Sequence, residues 1–372
     1  MQFTVIGSGA IGGTVGAHLV RAGDDVRFID RDPTHVAAMQ ARGLTIRGPE
    51  ESFTVPVDAT SPDAASGPLG AVLLCVKSQD TRAAAEWCRP RLRPGDSITS
   101  LQNGLCERVI AEVVGEAQTI GAFVNFSADL VAPGTIDYGG PGTFVVGELD
   151  GRLSSRVQAL GERLRVFLPI TVSPNVLGYL WAKLGYANML FATALVDATM
   201  ADVIERYPDL MVELACEVYD VAARVGVRLE PFDDVEPHLY HPRERQDPEQ
   251  LRAAIATLVA RRRRDGKTKS GIWRDLAVRH RRTEVDFQPG AVVEEAVRFG
   301  LPLPLTERVI AQIHDLEEGR RAMAWQNLVE LERLRTGRPP PGSGSGGSAA
   351  EAEEPPALPA DPAPVRPPRS HG

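Results

Sequence analysis

Lys183 and Glu284 are the residues from which proton chemistry could start. Lys183 lies near the beginning of Val176 to Val196, an apolar stretch that reads as a helix and carries no other charge. A lysine ammonium on such a helix is costly unless it is paired or faces a polar cleft. The other reading is a side chain that snorkels to the surface, and the pattern alone favours that one. Glu284 stands in Arg282-Thr283-Glu284-Val285-Asp286-Phe287, where Thr283 reads as a helix cap and Glu284 as a first-turn residue. A first-turn glutamate is either a site carboxylate or plain compensation of the helix dipole.

A cofactor site is written more plainly at the other end of the chain. Phe3 to Ile6 is a β-rich run leading into Gly7-Ser8-Gly9-Ala10-Ile11-Gly12, then a helix over Thr14 to Arg21 and a second β-rich run, Val26 to Ile29, ending in Asp30-Arg31. Strand, glycine turn, helix and strand within about 30 residues is the dinucleotide-binding unit. Gly7 allows the tight turn, Gly9 lets backbone approach a pyrophosphate, and Gly12 lets the helix pack close to the strand. The helix start then offers free N–H groups to the anion.

Further strands follow at Ala71 to Val76, Ser97 to Leu101 and Thr119 to Phe126, with helices over Pro33 to Arg42 and Thr81 to Leu92. Ile136 to Gly139 and Thr143 to Gly147 read as a hairpin-like pair. Ligands of an open α/β sheet sit beyond the carboxyl ends of its strands. Lys77, Asn103 and Asn125 to Ser127 fall there. From Val176 the pattern is helical to about Arg335, with breaks at Pro208, Pro231 to Pro248, Gly266 and Pro302 to Pro304. The expected architecture is α/β: an N-terminal Rossmann-type dinucleotide-binding domain over residues 1–170 and an all-helical substrate and catalytic domain over 171–336. Residues 337–372, rich in Pro, Gly, Ser and Ala, read as a disordered tail.

Composition excludes several function classes. The 372 residues carry a net charge of −8, which argues against nucleic acid as partner, since phosphate binding needs a basic face. The basic run Arg261 to Arg264 reads as a solvated helix face. The four cysteines are scattered without metal spacing, which fits a reducing cytoplasm. His238 and His241 lack a partner cluster, so no metal site is expected. The N-terminus already reads as a strand of the fold, leaving no room for a cleaved signal, and Lys183 interrupts the best candidate for a membrane span.

Taken together and in order, several tracts resemble the ketopantoate reductase (2-dehydropantoate 2-reductase) family. They are Gly7-Ser8-Gly9-Ala10-Ile11-Gly12, Val76-Lys77, Gln102-Asn103-Gly104, Trp181-Ala182-Lys183-Leu184 and Arg282-Thr283-Glu284-Val285-Asp286 with Gly290 behind it. The likeness covers roughly residues 1 to 335. It implies a Rossmann domain followed by a helical domain, an active site between them, and reduction of a small-molecule 2-oxo acid by NADP(H) in pantothenate synthesis. It makes Lys183 the proton donor and Glu284 the residue that orients cofactor and substrate. Asn103 is shared by cofactor and substrate, Arg31 and Lys77 meet the adenosine 2′-phosphate, and Ser127 gives a backbone contact to the cofactor. A homodimer is compatible with the helical second domain.

Three departures qualify the resemblance. The asparagines four and eight residues beyond the family's lysine are here Ala187 and Phe191. Asn188 is one residue out of register, about 140° around a regular helix, so it binds substrate only if a π-bulge restores it. In Lys269-Ser270-Gly271-Ile272-Trp273-Arg274-Asp275, Gly271 takes the place of the substrate-binding serine, with Ser270 beside it. Phe191 and Trp273 would make the substrate shell more apolar, which opens the alternative of a different 2-oxo acid or a bulkier carbonyl compound. A non-catalytic, cofactor-binding sensor is the third reading. Finally, Asp30 ends the second strand, where an acid normally accepts from a ribose 2′-OH. NAD(H) therefore stays open beside NADP(H).

Overall fold

The computed structural model describes residues 2–264 and 268–337. Nearly all of the 337–372 segment, expected to be disordered, lies outside the described residues. Twelve strands run through the first half: β1 (Gln2–Ile6), β2 (Asp25–Ile29), β3 (Leu44–Arg47), β4 (Ser52–Val55), β5 (Asp58–Thr60), β6 (Ala71–Leu74), β7 (Ser97–Ser100), β8 (Thr119–Val124), β9 (Ser127–Ala132), β10 (Thr135–Gly140), β11 (Phe144–Glu148) and β12 (Ile170–Val172). Eight form one sheet in the order β12-β11-β8-β7-β6-β1-β2-β5. From β5 to β8 the pairings are parallel, giving the strand order of a dinucleotide-binding sheet.

Successive side chains of a strand point to opposite faces, and a parallel sheet needs both faces covered. Phe3 and Val5 of β1 enter one apolar cluster and Ile6 the other, while β6 sends Leu73 one way and Val72 and Leu74 the other. The strand order reverses between β1 and β6, so a crevice opens beyond their carboxyl ends. The glycine turn stands at that point. Gly7 has φ +87°, and a Cβ there would meet the Val76 nitrogen at 2.8 Å. A Cβ on Gly12 would meet the Gly7 oxygen at 2.3 Å, while one on Gly9 would meet nothing within 4 Å. The turn is therefore tight on its inner side and open where it faces the crevice.

The hairpin expected from Ile136 to Gly147 does not form. β10 belongs to a separate four-stranded sheet, β4-β3-β10-β9, and its antiparallel partner is β9. β11 joins the large sheet against β8. Gly140-Pro141-Gly142 carries the chain from one sheet to the other, so two adjacent β-rich runs serve different layers.

Beyond β12 every described element is helical except one isolated bridge. The Val176–Thr193 helix is buried on nearly every side. It is packed mainly against the Pro208–Val225 helix, with the Tyr219 hydroxyl donating to the Ala182 carbonyl at 3.0 Å. A helix apolar all round belongs at the centre of a bundle. Lys183 projects from this central helix back toward the sheet. Among the described residues no helix is long and apolar enough to cross a membrane.

Candidate active site

Both halves line one cleft of about 1190 Å³. Gly7, Gly9, Ala10 and Ile11 border it at the switch point, and Lys183 and Glu284 face it from the helical half. The Lys183 ammonium donates to Asn103 Oδ1 at 2.8 Å and to the Val124 carbonyl at 2.6 Å. It also stands 5.4 Å from the centre of the Phe123 ring. Asn103 follows β7 and Val124 ends β8, so the carboxyl ends of two neighbouring strands hold one cation from the other half. Desolvation pulls the Lys183 pKa down to about 8, against the opposing charges of Asp233 and then Glu284. The ammonium is thus anchored by neutral acceptors rather than by a contacting carboxylate, and it gives up its proton more readily than an ordinary lysine.

Glu284 is the clasp between the halves. Lys77 donates to its Oε2 at 2.7 Å, and Ser78 donates to Oε1 from its backbone N–H at 2.9 Å and its hydroxyl at 2.7 Å. Burial pushes the carboxyl up, but the charge and hydrogen bonds of Lys77 and Ser78 outweigh it and hold Glu284 below the usual carboxylate range. Behind it, buried Asp275 pairs with Arg279 at 3.0 Å and Arg281 at 2.9 Å, and lies 3.9 Å from Lys77. Thr283 and Glu284 precede a short 3₁₀ turn, Val285–Phe287, instead of opening a helix directly. The Thr283 N–H and hydroxyl both donate to Glu317, at 2.7 Å each. Glu284 is therefore not dipole compensation.

Several expected site residues stand elsewhere. Asn188 is a correction: the Val176–Thr193 helix has no π-bulge, so Asn188 turns into the bundle and donates to the Leu214 carbonyl and Thr306 Oγ1, at 2.8 Å each. Ala187 and Phe191 line the cleft in its stead. Ser270 does border the cleft, but its hydroxyl caps the Gly271–Ala277 helix, accepting from the Trp273 N–H at 3.1 Å. Trp273 lies outside the cleft lining. Ser8 is turned inward, its N–H and hydroxyl donating to Asp30 Oδ2 at 2.7 and 3.0 Å. Gly12 sits beneath the turn. Arg31 and Lys77 do not form one pair, because Arg31 reaches Asp80 at 3.0 Å while Lys77 holds Glu284. Ser127 opens β9 at the cleft edge.

Two site residues escaped the sequence. Asp275 stood in the sequence only as the end of the Lys269 to Asp275 tract, and its burial among Lys77, Arg279 and Arg281 reveals it as their hub. Asp233 lies in the proline-rich break, where an Asp-Asp pair between Phe232 and Val235 was turn chemistry that could have marked it.

The glycine turn with open space over Gly9, the helix Ala10–Arg21 starting behind it, and a cation across the crevice fit a dinucleotide and a substrate that takes a proton. Fold and site thus define a nicotinamide-dinucleotide oxidoreductase acting at a CH–OH carbon. The chain matches the family described as ketopantoate reductase PanE/ApbA over residues 3–151 and that family's C-terminal part over residues 175–317. It belongs to the ketopantoate reductase family. A 2-dehydropantoate 2-reductase of Pyrococcus abyssi is 29% identical over 307 residues, covering 82% of this chain and 94% of that protein. The crystal structure of a ketopantoate reductase from Ralstonia eutropha JMP134 superposes with a TM-score of 0.72 at 27% identity, covering 87% of this chain and all of that one. A D-mandelate dehydrogenase structure with NADH and anilino(oxo)acetate shares the fold, at a TM-score of 0.74 and 19% identity, over 86% of this chain and 99% of that one.

Proposed function

We propose that this protein reduces 2-dehydropantoate to pantoate with NADPH, a step of pantothenate biosynthesis. The carrying observation is the Lys183 ammonium, fixed by Asn103 and Val124 inside the cleft that the glycine turn borders. The bound nicotinamide would supply the hydride to C2 of the acid. Lys183 holds a proton at the C2 oxygen, neutralises the charge that grows there and passes the proton over, leaving a 2-hydroxy acid. Its pKa of about 8 keeps it mostly protonated at neutral pH while making that transfer easier than from an ordinary lysine. Asn103 aims the ammonium, and Glu284, gripped by Lys77 and Ser78, orients the bound groups between the halves.

Two observations support NADPH over NADH. The Asp30 carboxylate, at the border of the cleft, already accepts from Ser8 and from the Asp32 N–H, at 3.0 Å in the latter case, so both its oxygens are engaged in bracing the turn. Arg31 beside it is exposed at the cleft edge, and a 2′-phosphate would compete there with Asp80 for its guanidinium. The Rossmann unit ends after β12 in this reading, and the helical unit begins with the Val176–Thr193 helix.

A second reading has its own observation. Ala187 and Phe191 border the cleft where the resemblance calls for asparagines, which favours a 2-oxo acid with a more apolar side chain. Initial rates on a panel of 2-oxo acids, each with NADPH and with NADH, test all of this. Turnover of 2-dehydropantoate with NADPH supports the first reading, and preference for an apolar 2-oxo acid selects the second. Binding of NADPH without oxidation by any 2-oxo acid overturns both.

A further inference from the structure

The α-helical half sends one tight turn back across the cleft to the sheet. Phe232 and Val235 exchange both backbone hydrogen bonds, at 3.1 and 2.8 Å, so Asp233 and Asp234 form the tip. Asp233 has φ +45°, a left-handed backbone that aspartate tolerates better than most residues. Its carboxylate accepts from Asn125 Nδ2, from Thr143 Oγ1 at 2.8 Å and from the Thr143 N–H at 3.2 Å. Asn125 and Thr143 are joined by a backbone hydrogen bond of 2.9 Å just beyond β8 and before β11. On the near side, Arg261 lies 2.6 Å from Asp234 and 3.9 Å from Asp233. The tip is thus tied to both halves.

The latch places one ring at the reacting end of the cleft. Phe232 is 3% exposed, and its centroid is 4.9 Å from Phe123 and 6.4 Å from Tyr186. Phe123 is the ring that also stands 5.4 Å from the Lys183 ammonium. Phe232, Tyr186, Ala187, Leu190 and Phe191 border the same cleft as Lys183, so the substituent of an acid whose C2 oxygen meets Lys183 would lie against an apolar wall.

We propose that Phe232 is a specificity-determining residue for the group attached to the substrate's carbonyl carbon, and that Asp233 is the positioning residue that latches Phe232 across the cleft. The proposal rests on the 2-oxo-acid reading but on no particular acid. The wall selects by volume and apolarity. It admits a branched alkyl group and limits an aromatic one, and it adjoins the proton chemistry through Phe123, whose ring neighbours both Phe232 and the Lys183 ammonium.

Two acids of different bulk, 3-methyl-2-oxobutanoate and phenylglyoxylate, test it with NADPH as reductant. Phe232→Ala should raise the ratio of kcat/KM for phenylglyoxylate to that for 3-methyl-2-oxobutanoate about tenfold or more, the usual worth of a changed hydrophobic pocket. Phe232→Leu should move the ratio the same way by less, and it serves if the alanine variant fails to fold. Asp233→Ala should raise KM for both acids while the NADPH Kd, measured by fluorescence titration, stays put. Equal losses for both acids in the Phe232 variants overturn the wall, because a merely structural ring lowers both alike. An NADPH Kd that worsens in step with KM in Asp233→Ala overturns the latch. If the wild-type protein oxidises NADPH with neither acid nor with 2-dehydropantoate, the underlying 2-oxo-acid reading itself falls.

Discussion

The two walls of the cleft are made of different chemistry. At the carboxyl ends of β6, β7 and β8 the wall is ionic and hydrogen-bonded: Lys183 on Asn103 and Val124, Glu284 on Lys77 and Ser78, Asp275 among Arg279 and Arg281. The wall beside it, made by Tyr186, Ala187, Leu190 and Phe191 on the helix of Lys183 together with Phe232, is apolar. The ionic wall holds Lys77, Asn103, Lys183 and Glu284, the residues on which the sequence resemblance rests, while the departures from that resemblance at Ala187 and Phe191 lie in the apolar wall. Reaction chemistry and substrate choice thus reside on separate side chains, although Lys183 and the Tyr186 to Phe191 tract share the Val176–Thr193 helix.

Substitutions on each side should separate the two roles. Lys183→Ala should lower kcat at least ~10²-fold, the usual floor for a positioned general acid, with NADPH binding retained in a fluorescence titration. Near-normal turnover would dissolve the comparison. Glu284→Gln removes the charge that Lys77 grips, and misplacement of the bound groups should cost up to ~10²-fold in kcat/KM; an unchanged value would reduce Glu284 to a structural clasp. On the apolar wall, Ala187→Asn restores a polar group facing the cleft. It should raise kcat/KM for 2-dehydropantoate relative to 3-methyl-2-oxobutanoate by about tenfold, with kcat for the latter little altered. A loss on both acids would instead mean that the wall has no room for the amide.

Asn188 provides the smallest kinetic effect and a control. It is fully buried and bonded within the bundle. Asn188→Ala should cost about 1–3 kcal/mol of stability in urea unfolding, the penalty of buried partners left unsatisfied, while kcat and KM hold. A rise in KM alone would place Asn188 back in the substrate shell.

The sequence made the cofactor half legible because its signals are local. A glycine turn between a strand and a helix is read within thirty residues, and the strand order then follows from parallel connections. Lys183 was visible as a cost, one charge on an apolar helix, but which way it pointed depended on Asn103 and Val124, some 80 and 59 positions away. Glu284 is joined to Lys77 and Ser78 across more than two hundred residues, so no window could distinguish it from dipole compensation. Asp233 and Phe232 fell in a proline-rich break, where spacing carries no period. The split of β10 and β11 between two sheets was hidden for a similar reason: adjacent β-rich runs suggest a hairpin unless the partners, β9 and β8, are known.

The central claim is that the Lys183 ammonium, desolvated between the halves, is the acid that completes the reduction. Its pKa of about 8 sets the sign of the pH dependence. The protonated form acts, so activity is full below that value and is lost as pH rises through it. The direct measurement is kcat/KM for the preferred 2-oxo acid from pH 6 to 10, which reports groups of the free enzyme. The account predicts a plateau that falls away above about pH 8, with the residual rate of Lys183→Ala lacking that break. A wild-type profile level through pH 10, or the same break persisting in Lys183→Ala, would contradict it.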